Sequence, residues 1–261
     1  MRVNINQPHD NSMRTIAVIP ARMGSSRFPG KPIAKILGRP MIEHIYKRVA
    51  MSKSLDATYI ATCDEEIRQI AEGFGAQVIM TADTHERASD RVAEAVTQLE
   101  ADLIVMVQGD EPMTHPNMID TAVAPFKHDP QLGCVNLVRK IDHEADYLDV
   151  NTIKVVMNQQ GDAMYMSRRP IPALAKTGFA DTAAYKQVCI IPFRRATLFQ
   201  YTNLTPTPLE QLESVDMLRL LEHGFQVKMV HTEYNTQAVD TTTDLARVEK
   251  LIESDPLLTR Y

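Results

Sequence analysis

The chain is short of cysteine, has no long apolar run and carries no surplus of basic charge. Its three cysteines, Cys63, Cys134 and Cys189, lie far apart with no CxxC pair. An odd number at such spacing indicates neither a disulfide framework nor a structural zinc site, and fits a reducing cytoplasm. No stretch approaches the ~20 apolar residues that span a bilayer, and the polar N-terminus MRVNINQPHDNSMR lacks the apolar core of a signal peptide. No membrane partner is therefore expected, and residues 1–13 read as a loose, flexible extension. A formal net charge of -5 makes nucleic acid a poor partner, because polyanion binders display a concentrated basic face. Two phosphate-binding signatures are missing as well: neither the Walker GxxxxGK[ST] loop nor the dinucleotide GxGxxG occurs. Repeats and low-complexity linkers are also absent.

What is present reads as one α/β enzyme domain over residues 14–261. The composition, 44% apolar and 23% charged over 261 residues, is that of a globular protein with one main core. TIAVI at Thr15–Ile19 is a β-branched apolar run that predicts a buried strand, and PMIEHIYKRVAMS has the apolar spacing of an amphipathic helix. The alternation continues: ATYIATC strand, EEIRQIAEGFG helix ending at a Gly, AQVIMT strand, SDRVAEAVTQLE helix capped by Ser89 or Asp90, DLIVMVQGD strand. Such alternation implies a mostly parallel sheet whose ligands sit beyond the carboxyl ends of its strands. From about Gly133 the pattern changes, and GCVNLVRKI, TIKVVMNQQGDAMYMSR and KQVCIIPF predict strands without intervening helices. Residues 133–200 accordingly read as an antiparallel insertion. TPLEQLESVDMLRLLEHG predicts one helix stopped by Gly224, QVKMVHTE a strand, and TTTDLARVEKLIES a capped last helix.

Three segments carry chemistry. IPARMGSSRFPGKP, Ile19–Pro32, places Arg22, Arg27 and Lys31 in a loop directly after a strand, with Gly24, Ser25 and Ser26 letting amides approach an anion. Three cations with exposed N–H groups suit a triphosphate. VQGDEP, Val107–Pro112, ends a strand on Gln108, Gly109 and Asp110, where a carboxylate could hold a hard cation or simply form a turn. In VDTTTDL, Val239–Leu245, Asp240 is a second carboxylate, or else it or one of Thr241–Thr243 caps the last helix.

In order and spacing these segments resemble sugar nucleotidyltransferases, and specifically the 3-deoxy-manno-octulosonate (Kdo) cytidylyltransferases, from about residue 15 to 250. The resemblance implies a Rossmann-like nucleotidyltransferase sheet with a smaller antiparallel substrate and dimerisation subdomain. It also implies a cytoplasmic homodimer serving lipopolysaccharide synthesis, which transfers CMP from CTP to an acidic acceptor and releases pyrophosphate. Arg22, Ser25, Arg27, Lys31, Arg91 and Gln108 would bind the nucleotide, Lys31, Asp110 and Asp240 would be catalytic, and Asp110 with Asp240 would hold Mg2+. Arg91 is the retained end of HERASDR, similar to the family's HQSGTER. NTIKVVMNQQGDAMYMSRRPIP supplies a substrate arginine, Arg168. No covalent nucleophile is needed, so the cysteines and histidines can be structural.

The acceptor side departs from the family. KQVCIIPFR stands where relatives read RHLGIYGYR, giving Gln187 for a His and Ile191 for a Tyr, and VDMLR stands for LEQLR, giving Asp216 for a Glu and Met217 for a Gln. These four positions are expected to line the acceptor space, and lost hydrogen-bond partners would disfavour an unmodified polyhydroxy acid. A Kdo-like ulosonic acid, a phosphonate, or a polysaccharide-decorating nucleotidyl transfer are the alternatives. A non-catalytic regulatory module would have lost Lys31, Asp110 or Asp240.

Overall fold

Residues 13–24 and 27–261 are described by the computed structural model; most of the expected N-terminal extension, together with Ser25 and Ser26, lies outside them. The first half runs β1 (Thr15–Ala21), a small hairpin of β2 (Lys35–Ile36) and β3 (Arg39–Pro40), α1 (Met41–Val49), β4 (Ala57–Thr62), α2 (Glu65–Gly73), β5 (Gln77–Met80), α3 (Ala88–Thr97), β6 (Leu103–Val107) and α4 (Pro116–Val123). The second half runs β7 (Val135–Lys140), α5 (Glu144–Leu148), β8 (Lys154–Met157), β9 (Ala163–Ser167), β10 (Tyr185–Val188), β11 (Ile190–Arg194), α6 (Arg195–Asn203), α7 (Pro208–Glu213), α8 (Met217–Glu222), β12 (Lys228–His231) and α9 (Thr242–Glu253).

β1 is buried along its whole length because it is central and covered on both faces. Its alternation divides the core: Ala17, Ile19 and Ala21 pack with Ile42, Ile67 and Ile119 on one face, while Ile16 and Val18 pack with Val92, Val96 and Leu198 on the other. The first sheet has the order β11-β6-β1-β4-β5, parallel throughout except for the antiparallel edge strand β11. The second has the order β12-β7-β10-β8-β9, antiparallel except for the β12–β7 pair. β12 joins it from beyond residue 200. Among the described residues no helix is long and apolar enough to cross a membrane.

Three local expectations change. KQVCIIPF is not one strand: it breaks at Cys189, so that β10 belongs to the second sheet and β11 to the first, the two sheets meeting at the Cys134–Phe193 bridge. Pro192 is tolerated because β11 is an edge strand. The predicted helix over 207–224 is two, α7 and α8, interrupted where Ser214 adopts φ 52. Arg168 supplies the replacement bonds there, its Nε donating to Glu213 O at 2.6 Å and its Nη2 to Ser214 O at 3.3 Å. Neither Ser89 nor Asp90 caps α3, which starts after Arg87. The stop of α2 at Gly75 (φ 85) is as expected, with Ala76 N donating to Ala71 O at 3.0 Å.

Candidate active site

The cleft lies beyond the carboxyl ends of β1 and β6, a cavity of about 310 Å³ lined by Arg22, Arg27, Lys31, Arg91, Gln108, Asp110 and Asp240 among others. These are the nucleotide and metal candidates, drawn from four separate segments. Two backbone devices bring them together. At Gly109 a Cβ would stand 2.5 Å from Pro20 O, so only glycine lets the β6 exit pass against the β1 exit. Beyond it, Val239 N donates to Asp110 O at 2.9 Å, which docks the segment carrying Asp240 beside Asp110.

Lys31 is the hub. Its Nζ donates to Asp110 Oδ2 at 3.0 Å and to Asp240 Oδ1 at 3.3 Å, while Arg27 Nη2 reaches Asp240 Oδ1 at 2.9 Å. The loop is pinned from below by Asp64, whose Oδ2 accepts from Met23 N at 2.8 Å. Ser25 lies outside the described residues. The choice left open for Asp240 is resolved by the helix: Thr241 caps α9, its Oγ1 accepting from Asp244 N at 3.2 Å while Asp244 Oδ2 takes Thr241 N at 2.9 Å. The Asp240 carboxylate is thereby left for the cleft.

Arg91 is 2% exposed, with Nη1 held by Thr81 Oγ1 at 2.5 Å and Ala82 O at 3.1 Å and Nη2 buried without a partner. A buried donor without a partner is costly unless a ligand satisfies it. Beside it, His85, Glu86, Arg87 and Ala88 also line the cleft. In HERASDR, besides the retained Arg91, Arg87 stands for a Ser and Ala88 for a Gly of the family's HQSGTER, and the charge of Arg87 is the sequence signal for this wall of the cleft. Asn151, whose Oδ1 accepts from Arg27 Nη1 at 3.3 Å, carried no sequence signal.

Glu111, next to Asp110, was also passed over. It is buried, and burial, then the Asp110 charge, pushes its carboxyl up to about 7, with Thr236 and the Cys189 backbone as opposing hydrogen-bond partners. Burial lowers the neighbouring Lys186 ammonium, against the pull of Glu111. Burial likewise raises the Cys189 thiol, with Glu111, Asp110 and Asp216 adding to it. Cys189 is therefore a neutral thiol.

The five acceptor-side candidates do not gather on the cleft. Ile191 and Met217 are 2% and 0% exposed in the apolar core with Met106 and Leu218, so they do not line an acceptor space. Gln187 is half-buried in β10, its Nε2 donating to Asn136 Oδ1 at 2.6 Å. The guanidinium of Arg168 has each of its three nitrogens on a main-chain carbonyl. Asp216 alone reaches the cleft wall, through an ion pair with Arg87 at 3.1 Å.

A family profile described as "Cytidylyltransferase" matches residues 16–248. The chain belongs to the cytidylyltransferase family. This cytidylyltransferase is 41% identical over 249 residues to the 3-deoxy-manno-octulosonate cytidylyltransferase of Geobacter metallireducens, covering 92% of this chain and 98% of the relative. It is 41% identical over 244 residues to the enzyme of the same name from Solibacter usitatus, covering 94% and 96%. Among solved structures, CMP:2-keto-3-deoxy-manno-octonic acid synthetase complexed with CTP is similar at a TM-score of 0.86 and 36% identity, over 92% of this chain and 98% of that one. The cytidylyltransferase fold is thus this mixed α/β arrangement with its largely parallel central sheet, and the chain is a nucleotidyltransferase enzyme.

Proposed function

We propose that this CTP-dependent cytidylyltransferase transfers CMP to 3-deoxy-manno-octulosonate or a closely similar ulosonic acid and releases pyrophosphate, with Arg22, Arg27 and Lys31 holding the triphosphate. The observation that carries this reading is the convergence of Lys31, Asp110 and Asp240 from three distant segments at 3.0 and 3.3 Å. An acceptor oxygen attacks the α-phosphorus, the bond to the β-phosphate breaks, and the hydroxyl proton is released. Such transfers depend on positioning and on neutralising charge, which is what the loop cations do. Arg91, with its unpaired Nη2, would bind the nucleotide as a donor. A phosphonate or other non-sugar acid is not favoured, since relatives at about this identity are named for the sugar acid.

Mg2+ belongs to the same reading. Among the described residues no group of three or more His, Cys, Asp or Glu is gathered for a metal, yet Mg2+ takes only one or two carboxylates when phosphate oxygens and water complete its shell. Asp110 and Asp240, both drawn to one ammonium, are hard oxygen donors that fit. When bound, the ion would neutralise charge at the α-phosphate and lower the pKa of the attacking hydroxyl. A cytoplasmic homodimer is a further part of the reading; Met164, 64% exposed on the edge strand β9, is an apolar side chain that such a dimer would cover.

Pyrophosphate release with CTP and the sugar acid tests the proposal. Asp110→Asn and Asp240→Asn should each fold and lose about a hundredfold or more in turnover, and Lys31→Ala should weaken CTP. Turnover within threefold of the unsubstituted enzyme in both aspartate variants would sink the two-carboxylate site.

A further inference from the structure

Resting on that reading, the geometry points to Arg87 as the residue that receives the acceptor's carboxylate and so sets the enzyme's preference for an acid. Arg168, the arginine the sequence nominates for this role, has all three nitrogens tied to main-chain carbonyls, Nε to Glu213 O at 2.6 Å, Nη1 to Val150 O at 3.2 Å and Nη2 to Ser214 O at 3.3 Å, which leaves only one N–H on each Nη and fixes its plane on the α7 end. Those bonds replace the ones lost where α7 ends, so freeing the guanidinium would unsettle the α7–α8 corner. In that reading the loop cations Arg22, Arg27 and Lys31 hold the triphosphate, and Arg91, buried with its Nη1 on Thr81, turns its unpaired Nη2 to the nucleotide. Arg87 differs from all of these.

It lines the cleft, with its side chain 29% exposed, and is fixed by Asp216. Asp216 is itself fixed: Oδ1 accepts from Arg87 Nη1 at 3.1 Å and Oδ2 from Ser89 Oγ at 3.2 Å. The carboxylate stands at the start of α8 and the arginine at the start of α3, so the pair ties the nucleotide side of the cleft to the elements that pack on the second sheet. One nitrogen is used and the remaining guanidinium donors keep a fork that matches a carboxylate bidentately. Packing and a supporting hydrogen bond hold that fork in place beforehand, which reduces what binding costs in lost freedom. The pairing also explains two departures from the family together. Arg87 stands where relatives read Ser and Asp216 where they read Glu, and each residue is the other's partner.

The test compares the unsubstituted enzyme, Arg87→Gln and Arg87→Lys, using 3-deoxy-manno-octulosonate and its C1 carboxamide as acceptors and pyrophosphate release as the readout. Arg87→Gln should raise the KM for the acid about 10- to 100-fold, the size of a lost charge-assisted pair, and leave the KM for CTP within threefold. The preference for acid over amide should collapse in Arg87→Gln and recover in part in Arg87→Lys. Melting curves and CTP binding check that each variant is folded, and Asp216→Asn, which leaves Arg87 in place but unfixed, should show a smaller rise in acceptor KM. An unchanged acid-over-amide preference in folded Arg87→Gln, or a rise confined to the KM for CTP, would overturn the assignment. Failure of the unsubstituted enzyme to transfer CMP to any acid would instead overturn the proposed function, and this assignment with it.

Discussion

Glu111 concentrates the electrostatic cost of the site in one residue. It is 7% exposed, its Oε2 has no partner, and its pKa rises from 4.5 to about 7 chiefly through burial. A carboxyl raised in this way binds its proton more tightly in the folded chain, so its contribution to stability is fully present below about pH 4.5 and is lost as pH climbs to 7. The loss over that window is on the order of 3 kcal/mol. Thermal melting at pH 5 and pH 8 checks it: Glu111→Gln should shrink the drop in Tm between the two by about 5–10 °C. Equal drops in both proteins would show that Glu111 ionises normally. A buried acid next to Asp110 costs stability, and enzymes commonly accept that cost where charge is gathered for function.

At the level of elements, α9 separates two roles that the sequence VDTTTDL leaves mixed. Thr241 and Asp244 form the reciprocal cap, and Asp240, one residue earlier, keeps its carboxylate for Lys31 and Arg27. Because Asp240 N is also held by Asp244 Oδ2 at 3.2 Å, the cap orients the Asp240 segment as well as the helix. Thr241→Ala should therefore cost about 1 kcal/mol of stability and lower kcat/KM with CTP, while Thr243→Ala, on the exposed first turn, should stay within about 0.5 kcal/mol. Denaturant unfolding with parallel kinetics would show it. Equal losses in the two variants would refute the cap assignment. The α7–α8 corner has the same logic, since Arg168 and the buried Glu210–Arg219 pair at 2.7 Å hold a shape that helix propensity alone would have run straight through.

For the molecule as a whole, the cleft draws on residues from Pro20 to Asp240, so occupying it should stabilise the entire fold. By mass action, CTP with Mg2+ at a hundred times its Kd adds about 2.7 kcal/mol, which for a chain of this size raises Tm by about 5–10 °C. Differential scanning fluorimetry should find a smaller shift with UTP, a smaller one after chelation, and a reduced one in Lys31→Ala. Identical shifts for CTP and UTP would remove base selection from this cleft, and no shift with CTP would remove the nucleotide. Cys189 marks why the coupling is global: β10 and β11 flank it in different sheets, and its carbonyl accepts from Gln108 N at 3.3 Å at the floor of the site.

Local patterning determined a good deal by itself. The apolar spacing of α1, the β-branched run of β1 and the Gly at 75 each act within a few residues, so those elements were legible, as were the loop cations and the two acidic segments. Tertiary structure alone decided which of these meet. Lys31, Asp110 and Asp240 are brought within 3.3 Å by Gly109 packing on Pro20 and by one backbone bond from Val239, contacts with no local signature. It also decided against Ile191 and Met217 as cleft residues, because periodicity shows that a side chain is apolar without showing which layer will cover it. The division of KQVCIIPF between two sheets follows for the same reason: strand propensity is a property of the segment, whereas partnership belongs to whichever edges, β7 and β8 on one side and β6 on the other, are open when the chain arrives.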